Sequence, residues 1–278
     1  MIKRIYFLTS EIVPFAETYS LATFSKEIPI VFNERKYDFR VMMPKYGFIS
    51  ERRYILREVI RLRDMELTYK NQSIMASVKS AFVPNTKVQV YFLEHEDYYT
   101  PTKATLYLSK DDSENSKNIV RFGYFASAAL TTLNYLRWKP EVIICNDWQM
   151  SLLQLFVNAN ILNREYFDGV KVVQILHSKS DLSRYAVPDY KSIGLTDVDK
   201  QFEKGGVIDS VAASVVLSDY TLLIDTGNKL MDKYQKDATF GPIFEKQKQK
   251  ISVYNLKGQS SEDWQLLADE IIKIIESI

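Results

Sequence analysis

Short apolar runs alternate with longer mixed stretches along this chain. Lys3–Thr9, centred on Ile5-Tyr6-Phe7-Leu8, predicts a first strand, and Phe39–Met43, closed by Pro44, a second. Between them Leu21–Phe32 mixes apolar and polar positions as a helix does, Pro29 notwithstanding. Such alternation marks βαβ units. The rhythm breaks from Tyr54 to Phe82, where Ile60, Leu62, Met65, Leu67 and Tyr69 fall at strand spacing. That stretch predicts antiparallel strands inserted at the periphery of the sheet. Lys87–Leu93 returns as a core strand, and the polar segment Thr100–Lys117 reads as an exposed loop. Phe122, Phe125, Ala126, Ala129, Leu130, Leu133 and Leu136 recur at helical spacing within Ile119–Leu136. Val142–Cys145 and Val170–Leu176 predict buried strands on either side of a helix over Trp148–Leu162. Val207–Val216 predicts another helix, and Thr221–Ile224 another strand. At the end, Ser260 suits an N-cap before a stripe of Trp264, Leu267, Ala268, Ile271, Ile274, Ile275 and Ile278. The expectation is one doubly wound α/β domain over residues 1–278, with a mostly parallel sheet, a peripheral antiparallel insertion, and residues 260–278 as a closing helix packed upon it.

Composition narrows the chemistry. In 278 residues, 36 Lys and Arg balance 35 Asp and Glu, for a formal charge of +1. Neither nucleic acid nor an anionic membrane is an expected partner. Nine glycines are about half the usual ~7%, which argues against glycine-rich phosphate loops. One cysteine, Cys145, and two histidines, His95 and His177, make neither an internal disulfide nor a standard zinc site, so no metal is implied. Cys145 ends a buried run and reads as a packing residue. No apolar run nears the ~18 residues of a membrane span, and the opening strand is too short for a signal peptide. A reduced, cytoplasmic, soluble protein is expected.

In open parallel sheets, ligands bind beyond the carboxyl ends of the strands. Three polar pairs stand at such ends: Ser10-Glu11, Asn146-Asp147 and His177-Ser178. A carboxylate and an imidazole there could orient sugar hydroxyls or carry protons. The competing reading is that these residues cap the helices that follow. Arg52, Arg53, Arg57, Arg61 and Arg63 form a basic stretch that reads as a solvated strand face, with nucleic-acid binding a distant second reading. Lys204-Gly205-Gly206 reads as a turn. Tyr98, Tyr99 and Tyr107 could stack on sugars, although most aromatics at this density are core.

Several motifs in order resemble a known family. Ser10-Glu11-Ile12-Val13-Pro14-Phe15-Ala16-Glu17-Thr18-Tyr19-Ser20-Leu21-Ala22 resembles S-E-x-x-P-F-A-K-T-G-G-L-A, the opening signature of bacterial glycogen synthases and plant starch synthases. Tyr37–Tyr46 resembles H-D-V-R-V-x-x-P-x-Y, Asn118–Phe122 resembles N-x-x-R-F, and Trp138–Ile143 resembles W-x-P-D-V-I. Asn146-Asp147-Trp148-Gln149 resembles H-D-W-x, and Val173–Ser178 resembles V-x-T-I-H-N. The resemblance implies a Rossmann-like half of a GT-B fold. In that family two such halves face each other across a cleft and move glucose from ADP-glucose to an α-1,4-glucan.

By the same resemblance, Asp147 and His177 match positions that line the glucose pocket, and they are the half-site candidates for catalysis. Glu11, Glu17, Thr18, Asn146, Asp147, Trp148, His177 and Ser178 are the candidate substrate-binding residues. The departures point elsewhere. Glu17 stands where the family has the lysine that meets the donor phosphate, and Tyr19-Ser20 stand where it has Gly-Gly. Thr23 replaces an acidic residue, Ser178 an asparagine, and Asp225-Thr226 a Ser-Pro pair. No second half with its phosphate clamp is seen in the sequence. The resemblance therefore implies a divergent relative without independent transferase activity, for which ADP-glucose would be a weak substrate at best and which needs no cofactor. An α-glucan, a second copy of the chain, or a second chain at the exposed cleft face are the candidate partners. Two alternatives stand beside it: a transferase completed by another chain, and a dimeric interaction module.

Overall fold

Residues Ile5–Leu8 are fully buried, as expected of a strand covered on both faces. They belong to β1 (Arg4–Leu8), the centre of the sheet in the computed structural model, which describes residues 3–99, 106–107, 115–159 and 164–278. Helix α1 (Leu21–Glu34) follows and keeps Pro29 within it; then come β2 (Asp38–Pro44) and the single turn α2 (Glu51–Tyr54). The insertion comprises β3 (Arg57–Glu58), β4 (Met65–Tyr69) and β5 (Gln72–Phe82), after which β6 (Gln89–Glu94) rejoins the core. A short α3 (Glu96–Tyr99) and the long α4 (Asn115–Leu136) lead to β7 (Val142–Asn146). Next are α5 (Leu153–Asn158), α6 (Arg164–Phe167), β8 (Lys171–Leu176), β9 (Arg184–Ala186) and α7 (Val187–Ser192). The chain closes through β10 (Glu203–Lys204), β11 (Val207–Asp209), α8 (Ser210–Leu217), β12 (Tyr220–Asp225), α9 (Leu230–Gln235), α10 (Phe240–Lys246), β13 (Ile251–Asn255) and α11 (Ser261–Ser277).

The large sheet runs β13-β12-β8-β7-β1-β2-β6-β5-β3, with β4 also paired to β5. All pairs from β13 to β6 are parallel; β5 pairs antiparallel with β6, β3 and β4, which is the expected peripheral insertion. A second, small sheet has the order β10-β11-β9 and is antiparallel. From β1 the chain winds one way through β2 and β6 and later the other way through β7, β8 and β12. The order reverses between β1 and β7, and in such sheets that switch point opens the ligand crevice.

The C-terminal stripe is buried. Trp264, Leu267, Ala268, Ile271, Ile274 and Ile275 pack α11 against α1, while Ile278 is half-buried. Ser260 Oγ accepts from the Asp263 amide at 3.2 Å and Asp263 Oδ2 accepts from the Ser260 amide at 2.9 Å, a reciprocal cap. Arg35 holds the far side through Asp269 at 2.6 Å and Gln265 Oε1 at 2.7 Å.

Four expectations are corrected. The helix over Trp148–Leu162 is a 3-10 turn at Trp148–Met150 followed by α5; residues 160–163 lie outside the described residues. The helix over Val207–Val216 begins only at Ser210, because Asp209 accepts from the amides of Val211 (3.0 Å) and Ala212 (3.4 Å) and so caps it, leaving Val207–Asp209 to pair as a strand. Of the loop Thr100–Lys117, residues 115–117 are already helical, and 100–105 and 108–114 lie outside the described residues. The basic stretch is no continuous strand face: Arg52 and Arg53 sit on α2, Arg57 on β3, and Arg61 in a 3-10 turn. Lys204-Gly205-Gly206 is a turn, with both glycines at positive φ (61° and 77°) between β10 and β11.

Candidate functional site

Three strand ends converge at the switch point. Asn146 Nδ2 donates to Leu8 O at 2.8 Å, and the Asp147 amide donates to Ile175 O at 2.7 Å, tying the ends of β1, β7 and β8 together. Asp147 takes φ 58° and ψ −171°, a region that is essentially glycine's, and the carboxylate it presents is fully buried. Four donors meet it. Oδ1 accepts from the amides of His177 and Ser178, each at 3.3 Å, and Oδ2 accepts from Ser178 Oγ at 2.7 Å and Tyr19 OH at 2.6 Å. Tyr19 OH in turn accepts from Gln149 Nε2 at 3.1 Å. A carboxylate offers about four lone-pair sites, so this one is saturated by the chain itself. Burial pushes its pKa up from the usual carboxylate range, and the four donors pull the other way.

Glu11 forms a second closed group. Its Oε1 accepts from Thr18 Oγ1 at 2.6 Å and, in a very short contact, from Tyr107 OH; its Oε2 accepts from the Thr18 amide, also very closely. Ser10 Oγ and Tyr107 OH lie 2.8 Å apart, and Tyr46 OH donates to Ser10 O at 3.0 Å. Burial raises the Glu11 pKa against these donors. Trp148 is buried with its ring 5.2 Å from Tyr107 and 5.5 Å from Phe122, so it serves as a wall rather than an open platform.

His177 is different. It is buried, its ring meets Phe24 edge-on at 4.5 Å, and its Nε2 has no hydrogen-bond partner among the described residues. Asn146 Oδ1 is likewise unpaired. These two atoms are unused hydrogen-bonding capacity at the ends of adjacent strands. Burial lowers the His177 pKa to about 3, so the ring is neutral at neutral pH. An imidazole neutral in the folded chain but protonated in the unfolded one lends stability in full above about pH 6.5, and that stability is lost as the pH falls towards 3. Relative to His177→Gln, the wild-type chain is expected to lose about 1.4 kcal/mol per pH unit within that window. Urea unfolding of both proteins at pH 7, 6 and 5 checks this; parallel losses would show that the ring is not buried neutral.

The structure thus brings Glu11 and Thr18 together, and Asn146, Asp147, His177 and Ser178 together. It does not bring Glu17 into either group: that side chain is exposed, on the turn before Thr18. Sequence reasoning missed Tyr19 and Gln149 as partners of Asp147, Tyr107 as a partner of Glu11, and Tyr234, whose OH donates to Ser178 O at 2.8 Å. The departure from Gly-Gly at Tyr19-Ser20 was the available signal for the first. Tyr98 stacks on His95 at 3.9 Å, and Tyr99 is fully buried. Cys145 is buried, and burial pushes its thiol pKa up. Among the described residues no group of three or more His, Cys, Asp or Glu could hold a metal, and no helix is long and apolar enough to cross a membrane.

Known proteins place this architecture. A glycogen synthase of Chlorobium luteolum is 34% identical over 177 residues, covering 63% of this chain and 36% of that protein. One from Chlorobaculum parvum is 32% identical over the same shares. The chain thus spans about a third of the length of these relatives. The catalytic domain of starch synthase IV from Arabidopsis thaliana, solved with ADP and acarbose, superposes with a TM-score of 0.75 at 16% identity, covering 92% of this chain and 52% of that one. That likeness shows the fold, a mostly parallel α/β half of the starch synthase architecture. The profile of the starch synthase catalytic domain matches residues 4–226, and the chain belongs to that family.

Proposed function

We propose that this chain is a glycogen or starch synthase-like protein that does not itself transfer glucose and acts by binding an α-glucan or a partner chain. One observation carries the reading: the Tyr19 hydroxyl, 2.6 Å from Asp147 Oδ2, occupies the carboxylate that the family resemblance assigns to the glucose pocket. A sugar hydroxyl would have to displace it, which breaks the bond to the carboxylate and leaves the phenol only its contact with Gln149. Glu17 adds a charge of the wrong sign for a nucleotide phosphate, but on an exposed side chain unit charges ~4 Å apart in water repel by only about 1 kcal/mol.

ADP-glucose is therefore expected to bind the purified chain no tighter than about 1 mM, near −4 kcal/mol. Calorimetry returning micromolar affinity would overturn this. Glu17→Lys alone is expected to leave turnover absent, because Tyr19 still fills the site. Incorporation of labelled glucose from ADP-glucose into glycogen is the deciding assay, and activity of the chain alone would refute the reading. The unpaired His177 Nε2 and Asn146 Oδ1 favour a second reading, a half-site that another chain completes, and the same assay with such a chain added separates the two.

A further inference from the structure

The outer corner of the sheet, where β5 ends and β6 begins, has no part in the site above; β1, β2 and β6 lie between it and β7. A hollow of about 560 Å³ opens there, lined by Arg53, Ile55, Arg57 and Phe82 among others, and a second of about 280 Å³ adjoins it beside Lys87. Phe82 and Gln89, cross-strand partners on β5 and β6, line both hollows.

Three independent features of this corner point outward. Phe82 is 57% exposed and Ile55 65%, two large apolar side chains exposed on the lining of one hollow. Ile55 is held at φ 53° and ψ 51°, a left-handed conformation that a β-branched residue rarely takes, and such outliers gather at functional positions. The cations also lack carboxylate partners, although Arg53 lies 5.3 Å over the Tyr54 ring. The nearby acids are engaged elsewhere, Asp38 with Arg4 and Arg40, Glu51 with Lys45 and Lys79, and Glu58 with Arg63. Among the described residues Arg53, Arg57 and Lys87 have no ion-pair partner.

We propose that this corner docks an acidic polypeptide segment of a partner protein, one with a large apolar side chain set between carboxylates. The apolar side chain enters the hollow between Ile55 and Phe82, and the carboxylates meet Arg53, Arg57 and Lys87. Charge complementarity selects an anionic partner. The apolar floor favours protein over nucleic acid: Ile55 offers no face for a base, the Tyr54 ring already carries Arg53, and among the described residues of the lining that leaves Phe82 as the exposed aromatic.

Selection of a random peptide library on the immobilised full chain tests this. Enriched sequences are expected to carry Asp or Glu on both sides of an aromatic or aliphatic residue. A synthetic peptide of the enriched sequence is expected to bind with micromolar affinity by fluorescence anisotropy. Arg53→Glu with Arg57→Glu, and separately Phe82→Ser, should each weaken it about tenfold, a loss of 1.4 kcal/mol, with the melting temperature unchanged. Failure to enrich any sequence, enrichment of uncharged sequences, or equal binding by the variants would overturn the proposal. A single-stranded oligonucleotide of matched charge that binds more tightly would overturn it in favour of nucleic acid. Self-association in sedimentation equilibrium, abolished by the same substitutions, would overturn it in favour of a second copy.

Discussion

Removal of residues 260–278 is expected to leave a chain that is insoluble or molten. Trp264, Leu267, Ile271, Ile274 and Ile275 are each buried in α11, and at about 1.5–3 kcal/mol per large side chain they represent roughly 10 kcal/mol of burial. Domains are stable by only about 5–15 kcal/mol, so the loss consumes most of the margin. The deletion would also bare the α1 surface that α11 covers. Ile271→Ala, which leaves the cap and the Arg35 contacts in place, should cost about 2–5 kcal/mol and shift the urea midpoint without changing the far-ultraviolet spectrum. A deleted chain that stayed soluble, monomeric and equally heat-stable would show that α11 serves a partner rather than this domain.

Asp147→Ala is expected to be the most damaging single change at the candidate site, at about 3–5 kcal/mol. It strands two backbone amides and two hydroxyls around a buried position, and each orphaned donor costs about 1–3 kcal/mol before relaxation. Asp147→Asn should cost less, because the amide oxygen still accepts where one carboxylate oxygen did. Tyr19→Phe removes the bond to Asp147 and the one that the phenol accepts from Gln149, and should cost about 1.5–3 kcal/mol. Combined in a double-mutant cycle with Asp147→Asn, it should show a coupling of at least about 1 kcal/mol. A coupling near zero would mean that water replaces the phenol freely, and the reading of Tyr19 as an internal occupant would fall.

Strands buried on both faces were legible because a doubly covered strand has no polar face to hide: β1 and β7 carry unbroken apolar runs, and β8 one interrupted only by Gln174. The same property made Val207–Val216 ambiguous, since an apolar run carries neither a period of two nor one of 3.6. The strand β13 left no clear signature; Ser252, Tyr254 and Asn255 lie on a half-buried edge where burial exerts little pressure on the pattern. At the site, the three strand-end pairs were visible because their position follows from the sheet alone. Their partners were not. Tyr19 meets Asp147 across 128 residues and Tyr107 meets Glu11 across 96, and no local spacing encodes either meeting.

The placement of β1 also shapes how the chain is born. Its neighbour β7 emerges long after it, Leu8 and Asn146 being 138 residues apart, and at ribosomal speeds the gap lasts on the order of 10 s. Until then one long edge of the innermost, most apolar strand has no native partner, and nascent β1 and β2 must be kept from pairing with other chains. Conditions that slow translation between residues 44 and 142, or that deplete the chaperones engaging nascent chains, should therefore lower the soluble yield of this protein far more than they lower that of an all-helical protein of equal length.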